Sequence, residues 1–183
     1  MGNILLIGAR ASGKSAVGRR AAELLGAGWR FVEMDTALVQ RLGMPIADFF
    51  ATRGEAAFRE AEAALLAGLA QGDRQVVACG GGVAGTPESL QAARATGTVV
   101  WLDAPEGELL ARRLADLEEP ARPALLPALG TLKTQDLAAY LRVEIPTLLA
   151  RRRPYYAGAD YVISTEGMGV ERVAAVVAAL ASE

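Results

Sequence analysis

The sequence has no histidine and a single cysteine, Cys79, among its 183 residues. The absence of histidine excludes imidazole as a metal ligand and as a general base. A catalytic base must therefore be a carboxylate, a lysine, a tyrosine or the cysteine. One cysteine excludes an internal disulfide bond and favours a reducing, cytoplasmic location.

Long apolar runs, net charge and lysine are also scarce. No run approaches the roughly 20 residues of a membrane-spanning helix, and the N-terminal apolar run is expected to be a strand and not a signal peptide. The net charge is −2, so we expect neither a membrane nor a nucleic acid as partner. Lys14 and Lys133 are the only lysines among 19 basic residues. Arginine is the better residue for bidentate contacts with carboxylates and phosphates. For most of the surface arginines, however, we favour genome base composition as the cause of their number.

The chain does have regular hydrophobic patterning. Its length and its 52% hydrophobic content suit one domain over residues 1–183. Apolar runs predict strands at 3–7, 30–34, 75–79, 98–102 and 161–163. Helical periodicity predicts helices at 16–25, 55–70, 87–95, 106–117, 134–152 and 170–181. This alternation predicts an α/β protein with a parallel sheet covered by helices on both faces.

The stretch 117–133 interrupts the alternation. It contains several prolines and Gly130 and shows no clear periodicity. Irregular segments of this length are more often functional than incidental, so we predict a mobile lid here.

The segment 8–15 matches G-x-x-x-x-G-K-[ST] between a predicted strand and a predicted helix. In that context the loop amides and the helix N-terminus bind phosphate, Lys14 reaches the β- and γ-phosphates, and Ser15 ligates Mg²⁺. The sequence therefore predicts a nucleoside triphosphate site. Its nucleotide-binding positions are Gly8, Ala11, Ser12, Gly13, Lys14, Ser15 and Ala16.

Two further segments carry candidate substrate residues. Asp35 follows the second strand, where it either holds an acceptor hydroxyl or caps a helix beginning near Thr36; Glu33 lies closer to the phosphate loop. Arg59 and Glu62 share one helical face, where they form either a carboxylate clamp or a solvated ion pair.

Three more segments offer backbone donors or cations. The glycines 80–82 follow the third strand and form either a substrate-binding turn or a flexible one. Arg122, in an Arg-Pro pair within the predicted lid, would bring a cation over the phosphates. The arginines 151–153 precede Pro154 and form either an anion site or a solvated face.

The order of these motifs resembles that of the shikimate kinases. That family shows a Walker A loop, F-x-D-x-D, G-E-x-x-F-R-x-x-E, G-G-G, an Arg-Pro lid and R-x-P-x-Y. The corresponding segments here are 8–15, 31–35, 54–62, 80–82, 122–123 and 152–156. The resemblance covers nearly the whole chain, and the helix motif with G-G-G is far more specific than Walker A alone.

The resemblance implies a P-loop three-layer α/β/α fold with a five-stranded parallel sheet of order 2-3-1-4-5. It implies transfer of the γ-phosphoryl group of ATP to the 3-hydroxyl of shikimate, in aromatic amino-acid biosynthesis, by a cytoplasmic enzyme expected to be a monomer. The catalytic residues would be Lys14, Asp35 and Arg122, with Arg122 also contacting the nucleotide. Shikimate would be bound by Asp35, Phe58, Arg59, Gly80, Gly81, Gly82 and Arg152. Ser15 and Glu33 would serve Mg²⁺, and Glu62 would steady Arg59.

The chain departs from the family pattern at three places. Glu33 stands where the family has aspartate, the lid region is enlarged, and the arginine triplet leaves the assignment of Arg152 uncertain by one residue. An arginine that contacts adenine in the family corresponds to Arg112 or Arg113. The alternative functions are a related kinase of gluconate or a nucleoside monophosphate, and a nucleotide-binding homologue without catalysis.

Overall fold

The computed structural model describes residues 2–117 and 125–182. Its sheet has five parallel strands in the order β2-β3-β1-β4-β5. The strands are β1 (Asn3–Ile7), β2 (Arg30–Glu33), β3 (Gln75–Ala78), β4 (Gly97–Asp103) and β5 (Tyr161–Ser164). β1 and β3 are buried along their whole length, as expected for apolar strands covered on both faces. The predicted fold class and strand order are confirmed.

Helices follow each strand and complete the three layers. They are α1 (Lys14–Leu25), α2 (Met34–Leu42), α3 (Ile46–Leu69), α4 (Pro87–Thr96), α5 (Glu106–Ala115), α6 (Gly130–Gln135), α7 (Leu137–Tyr156) and α8 (Val170–Ala179). Short 3₁₀ turns occupy Pro127–Leu129 and Leu180–Ser182. Within the described ranges, no helix is long and apolar enough to cross a membrane.

The alternation of β1 builds two cores, one on each face of the sheet. Ile4 and Leu6 pack with α1 and α8, whereas Leu5 and Ile7 pack with α2, α3 and α4. A third core, around Leu109 and Tyr140, joins α5, α6 and α7. The carboxyl ends of the strands therefore face a crevice between the core under α2, α3 and α4 and the third core.

The amino ends of the strands are closed by a buried amide. Asn3 Nδ2 donates to the carbonyls of Leu69, Gly72 and Thr96 at 3.1–3.2 Å, and Asn3 Oδ1 accepts from the backbone of Gln75 at 3.1 Å. The amino ends of the strands lie at the end of the sheet opposite the phosphate loop.

Three helical segments were absent from the predicted helices. For α2 the sequence offered only a start near Thr36, as one alternative role of Asp35. Residues 46–53 form the first part of α3, which Gly54 (φ +78°) separates from the predicted helix, and Phe49 and Phe50 pack against the core there. Residues 127–133 are helical although the sequence predicted an irregular lid, because Leu132 packs on the third core and outweighs the weak propensity of this segment.

Helix ends also differ from prediction. α5 ends at Ala115 and not at residue 117. α7 begins after Asp136, whose side chain accepts from Ala139 N at 2.9 Å, and runs through Pro154 to Tyr156. Asp136 is a helix N-cap that was not among the predicted features.

Candidate active site

The phosphate loop between β1 and α1 adopts a conformation that needs glycine. Gly8 and Gly13 have φ of +142° and +97°, and Ala11 is left-handed at +66°. A Cβ atom built on Gly8 would lie 2.7 Å from the carbonyl oxygen of Leu102, which leaves no room for a side chain. The first turn of α1 carries no acidic residue, so its positive end is available to an anion.

Lys14 lies at the centre of this loop. Its Nζ donates to the carbonyl oxygens of Gly8 at 3.0 Å and Ala9 at 2.7 Å. Burial lowers the pKa of Lys14 to about 8, against the opposing effect of Asp35 and Glu33, which favour the ammonium form. The loop thus holds a cation that bound phosphate would stabilise further.

Two loop hydroxyls differ in environment. Ser12 Oγ is buried and has no hydrogen-bond partner among the described protein groups, whereas Ser15 is exposed at the start of α1. Glu33 is half-buried at the N-cap position of α2. No group of three or more acidic or cysteine side chains in the described part of the chain could hold a metal. One hydroxyl and one carboxylate fit a Mg²⁺ ion that is bound largely by phosphates and water.

Cys79 takes no part in base chemistry. It is buried at the end of β3, and burial raises the pKa of its thiol to about 12. The thiol therefore stays protonated near neutrality, which removes the cysteine from the candidate bases.

The glycine turn 80–82 receives side chains from separate helices. A Cβ atom built on Gly80 would lie 2.7 Å from Asp35 Oδ1, and one on Gly81 would lie 3.2 Å from Arg152 Nη1. Asp35 is in the first turn of α2, with Glu33 at the N-cap, so the alternative role of Asp35 as a helix cap is excluded. The turn lets a carboxylate from α2 and a guanidinium from α7 approach the same backbone.

Arg59 from α3 lies against the third glycine. A Cβ atom on Gly82 would overlap Arg59 Nη1. The same Nη1 donates to Glu62 Oε2 at 2.5 Å, and Nη2 donates to Glu55 Oε1 at 3.1 Å. Glu62 is 5% exposed, and burial raises its pKa against the opposing effect of Arg59. The pair is therefore not a solvated surface pair, and the two carboxylates fix the plane of the guanidinium.

The three consecutive arginines of α7, residues 151–153, have different surroundings. Arg153 Nη2 donates to Asp103 Oδ1 at 3.2 Å, and its guanidinium lies 6.0 Å from the Trp101 ring centre. Arg151 is exposed, and Arg152 is the half-buried member that faces Gly81. Its position supports the assignment of Arg152 among the three.

The paired arginines of α5 are also distinguished. Arg113 is 3% exposed and forms an ion pair with Glu144 of α7. Arg112 donates to the carbonyl oxygen of Ala11 in the phosphate loop at 3.2 Å and to Glu108 at 2.5 Å. Arg112 is thus the member of the pair that donates a hydrogen bond to the phosphate loop, whereas Arg113 lines a small cavity beside Ala9 and Arg10.

Part of this set, on the side of the turn away from the phosphate loop, borders a cleft of about 1060 Å³. Its walls include Arg59, Glu62, Gly82, Leu125, Arg151 and Arg152. Leu125 lies in the predicted lid and Arg151 in the arginine run 151–153, but neither was predicted individually to line the site. Phe58 is 5% exposed and packs with Phe50 at 4.5 Å between ring centres, so its contact with substrate stays a prediction. Arg122 and the part of the predicted lid at 118–124 lie outside the described residues.

Comparison with known proteins agrees with this geometry. The sequence model of the shikimate kinase family matches residues 10–181. The shikimate kinase of Moorella thermoacetica is 39% identical over 174 residues, covering 94% of this chain and 90% of its own. That of Symbiobacterium thermophilum is 41% identical over 176 residues, covering 94% and 92%.

Solved structures of two kinases superpose on this chain with different TM-scores. Shikimate kinase from Acinetobacter baumannii in complex with shikimate superposes with a TM-score of 0.80 at 30% identity, covering 100% of this chain and 93% of that one. A gluconokinase from Sinorhizobium meliloti reaches 0.53 at 22% identity, covering 99% and 94%, and shares the fold alone. The chain belongs to the shikimate kinase family.

Proposed function

We propose that this protein transfers the γ-phosphoryl group of ATP to the 3-hydroxyl of shikimate, as a single-domain enzyme of aromatic amino-acid biosynthesis. The observation that carries the proposal is the convergence of Asp35, Arg59 and Arg152 on the turn 80–82. Two guanidinium groups suit the carboxylate of a hydroxy acid, and a carboxylate suits its hydroxyl.

Asp35 would orient the acceptor hydroxyl and take its proton as that oxygen bonds to the γ-phosphorus. The bond between the γ-phosphorus and the bridging oxygen then breaks, and ADP leaves. The side chain of Asp35 lies against Gly80 and is close enough to Lys14 to favour the ammonium form. Acceptor and donor sites are thus adjacent, as direct transfer requires.

Lys14 would neutralise charge that develops on the β- and γ-phosphate oxygens. Ser15 and Glu33 would hold Mg²⁺, with Glu33 reaching one methylene further than an aspartate. When bound, Mg²⁺ would supply positive charge that offsets the charge of the phosphate groups. Arg122 would add a cation to the transferred group, and Arg112 would contact the nucleotide beside the loop.

Arg59, held by Glu55 and Glu62, and Arg152 would bind the carboxylate of shikimate. The backbone amides of the turn 80–82 would donate to its hydroxyls. We further propose that the protein acts as a monomer in the cytoplasm, without a nucleic-acid or membrane partner. The net charge of −2 argues against broad electrostatic binding to nucleic acid, and the lone, buried Cys79 suits a reducing compartment.

The test is a coupled assay of ADP release with shikimate, gluconate or nucleoside monophosphates as acceptor, with and without Mg²⁺. We expect Mg²⁺-dependent release with shikimate, and a single phosphate ester at the 3-hydroxyl by NMR of the product. Release with gluconate alone, or none above the rate without acceptor, would overturn the proposal.

A further inference from the structure

Glu144 of α7 is a charged side chain buried completely between α5 and α7. It is 0% exposed, and its Oε2 pairs with Arg113 of α5, which is 3% exposed. Its other oxygen, Oε1, accepts from the hydroxyl of Tyr140 and from the backbone N–H of Leu125 at 3.1 Å. The hydrogen-bond partners of this carboxylate in the described part of the chain are thus all donors, and they come from three parts of the chain.

Stability alone does not explain such a group. A buried ion pair is often replaced by apolar residues without loss of stability, because desolvation of the charges offsets their attraction. The distinctive contact of Glu144 is the one with a backbone amide outside any helix. Leu126 N adds a second contact by donating to the Tyr140 hydroxyl at 3.3 Å. The side chains of Glu144 and Tyr140 therefore hold the backbone amides of Leu125 and Leu126 in place.

The segment 125–126 borders the site. Leu125 lines the cleft that contains Arg59 and Arg152. It also lines a smaller cavity of about 20 Å³ next to Arg152.

We propose that Glu144, with Tyr140, is a positioning residue for phosphoryl transfer. It holds Leu125 as a wall of the acceptor cleft and thereby sets the shape in which that cleft receives the acceptor. The inference rests on the function proposed above. Glu144 touches neither substrate in this scheme and acts through Leu125.

Two variants separate positioning from folding. Tyr140→Phe removes one hydroxyl and keeps the ion pair. The double variant Arg113→Met, Glu144→Leu removes the buried charges together, which is expected to leave the protein folded. Thr96→Val is the matched control, because it also deletes a buried hydroxyl. The Thr96 hydroxyl donates to the carbonyl oxygen of Ala92 at 2.9 Å and lies at the amino end of β4, away from the cleft.

We expect Tyr140→Phe to lower kcat by about threefold to tenfold, the effect of one lost hydrogen bond. The double variant should lose more, by about tenfold or greater, while its melting temperature is unchanged or higher. The KM for ATP should change little in both. Thr96→Val should lower the melting temperature and leave kcat unchanged. Unchanged kcat in both site variants, or an equal loss in Thr96→Val, would overturn the proposal.

Hydrogen exchange gives a readout independent of activity. The amides of Leu125 and Leu126 should be protected in the wild-type protein and should exchange faster in both site variants, but not in Thr96→Val. If the wild-type protein released no ADP with shikimate, the proposed function would fail while this protection pattern still held. Unprotected amides in an active wild-type enzyme would refute the positioning role alone.

Discussion

Gly82→Ala is predicted to weaken shikimate binding by displacing Arg59. A Cβ atom at residue 82 would overlap Arg59 Nη1, and ordinary contact needs about 3.4 Å or more. The guanidinium must therefore move by about an ångström and cannot keep both its 2.5 Å contact with Glu62 and its place beside the turn. Gly82 has no positive φ, and alanine retains the backbone N–H, so the change acts on the side chain of Arg59.

The expected loss is about 1–3 kcal/mol in kcat/KM for shikimate, the scale of one hydrogen bond to a charged group. This corresponds to roughly a 5- to 150-fold decrease, and it should appear mainly in KM for shikimate. ATP affinity should stay near that of the wild type. Gly68→Ala is the matched control, because a Cβ atom there has no neighbour within 4 Å.

A double-mutant cycle tests the cause. In an Arg59→Ala background, Gly82→Ala should have little further effect, since the group that it displaces is gone. Additive losses in the double variant would refute the reasoning. The effect would then come from the turn itself and not from the guanidinium.

The remaining predictions concern the phosphate loop and the acceptor base. Lys14→Met should lower kcat by several powers of ten with the fold intact, and a variant that keeps more than about a tenth of wild-type turnover would contradict the role of the ammonium. Asp35→Asn should lower kcat far more than it weakens ATP binding; equal small changes in both quantities would contradict a role as base. Arg122→Ala should lower kcat while shikimate affinity measured without nucleotide is retained, and unchanged turnover would assign the contact to another arginine. Because the pKa of Lys14 is about 8 in the free protein and bound phosphates raise it, ATP affinity should fall as pH rises above about 8. Calorimetry at pH 9 in two buffers should show proton uptake on binding, which Lys14→Met should abolish.

The sequence predicted what is local and periodic. The phosphate loop was predictable because strand, glycine loop and helix follow one another directly. Arg59 and Glu62 were predictable as partners because three residues along a helix bring side chains to one face. The order of the strands needed the family resemblance, since alternation alone fixes only that the sheet is parallel.

Tertiary packing decided what the sequence left open. Arg112 and Arg113 are equivalent by motif, yet the packing of α5 against α7 buries only Arg113. Its partner Glu144 lies 31 residues away, a separation that no local pattern reveals. The helical turns at 127–133 likewise depend on contact with the third core.

The two arginines of the acceptor cleft stand on different helices. Arg59 is on α3 and Arg152 is on α7, and these helices already share a core through Phe58 and Tyr156. A carboxylate held by both guanidinium groups would add a removable non-covalent crosslink between the two helices. Substrate would then raise the melting temperature by more than an analogue that lacks the carboxylate.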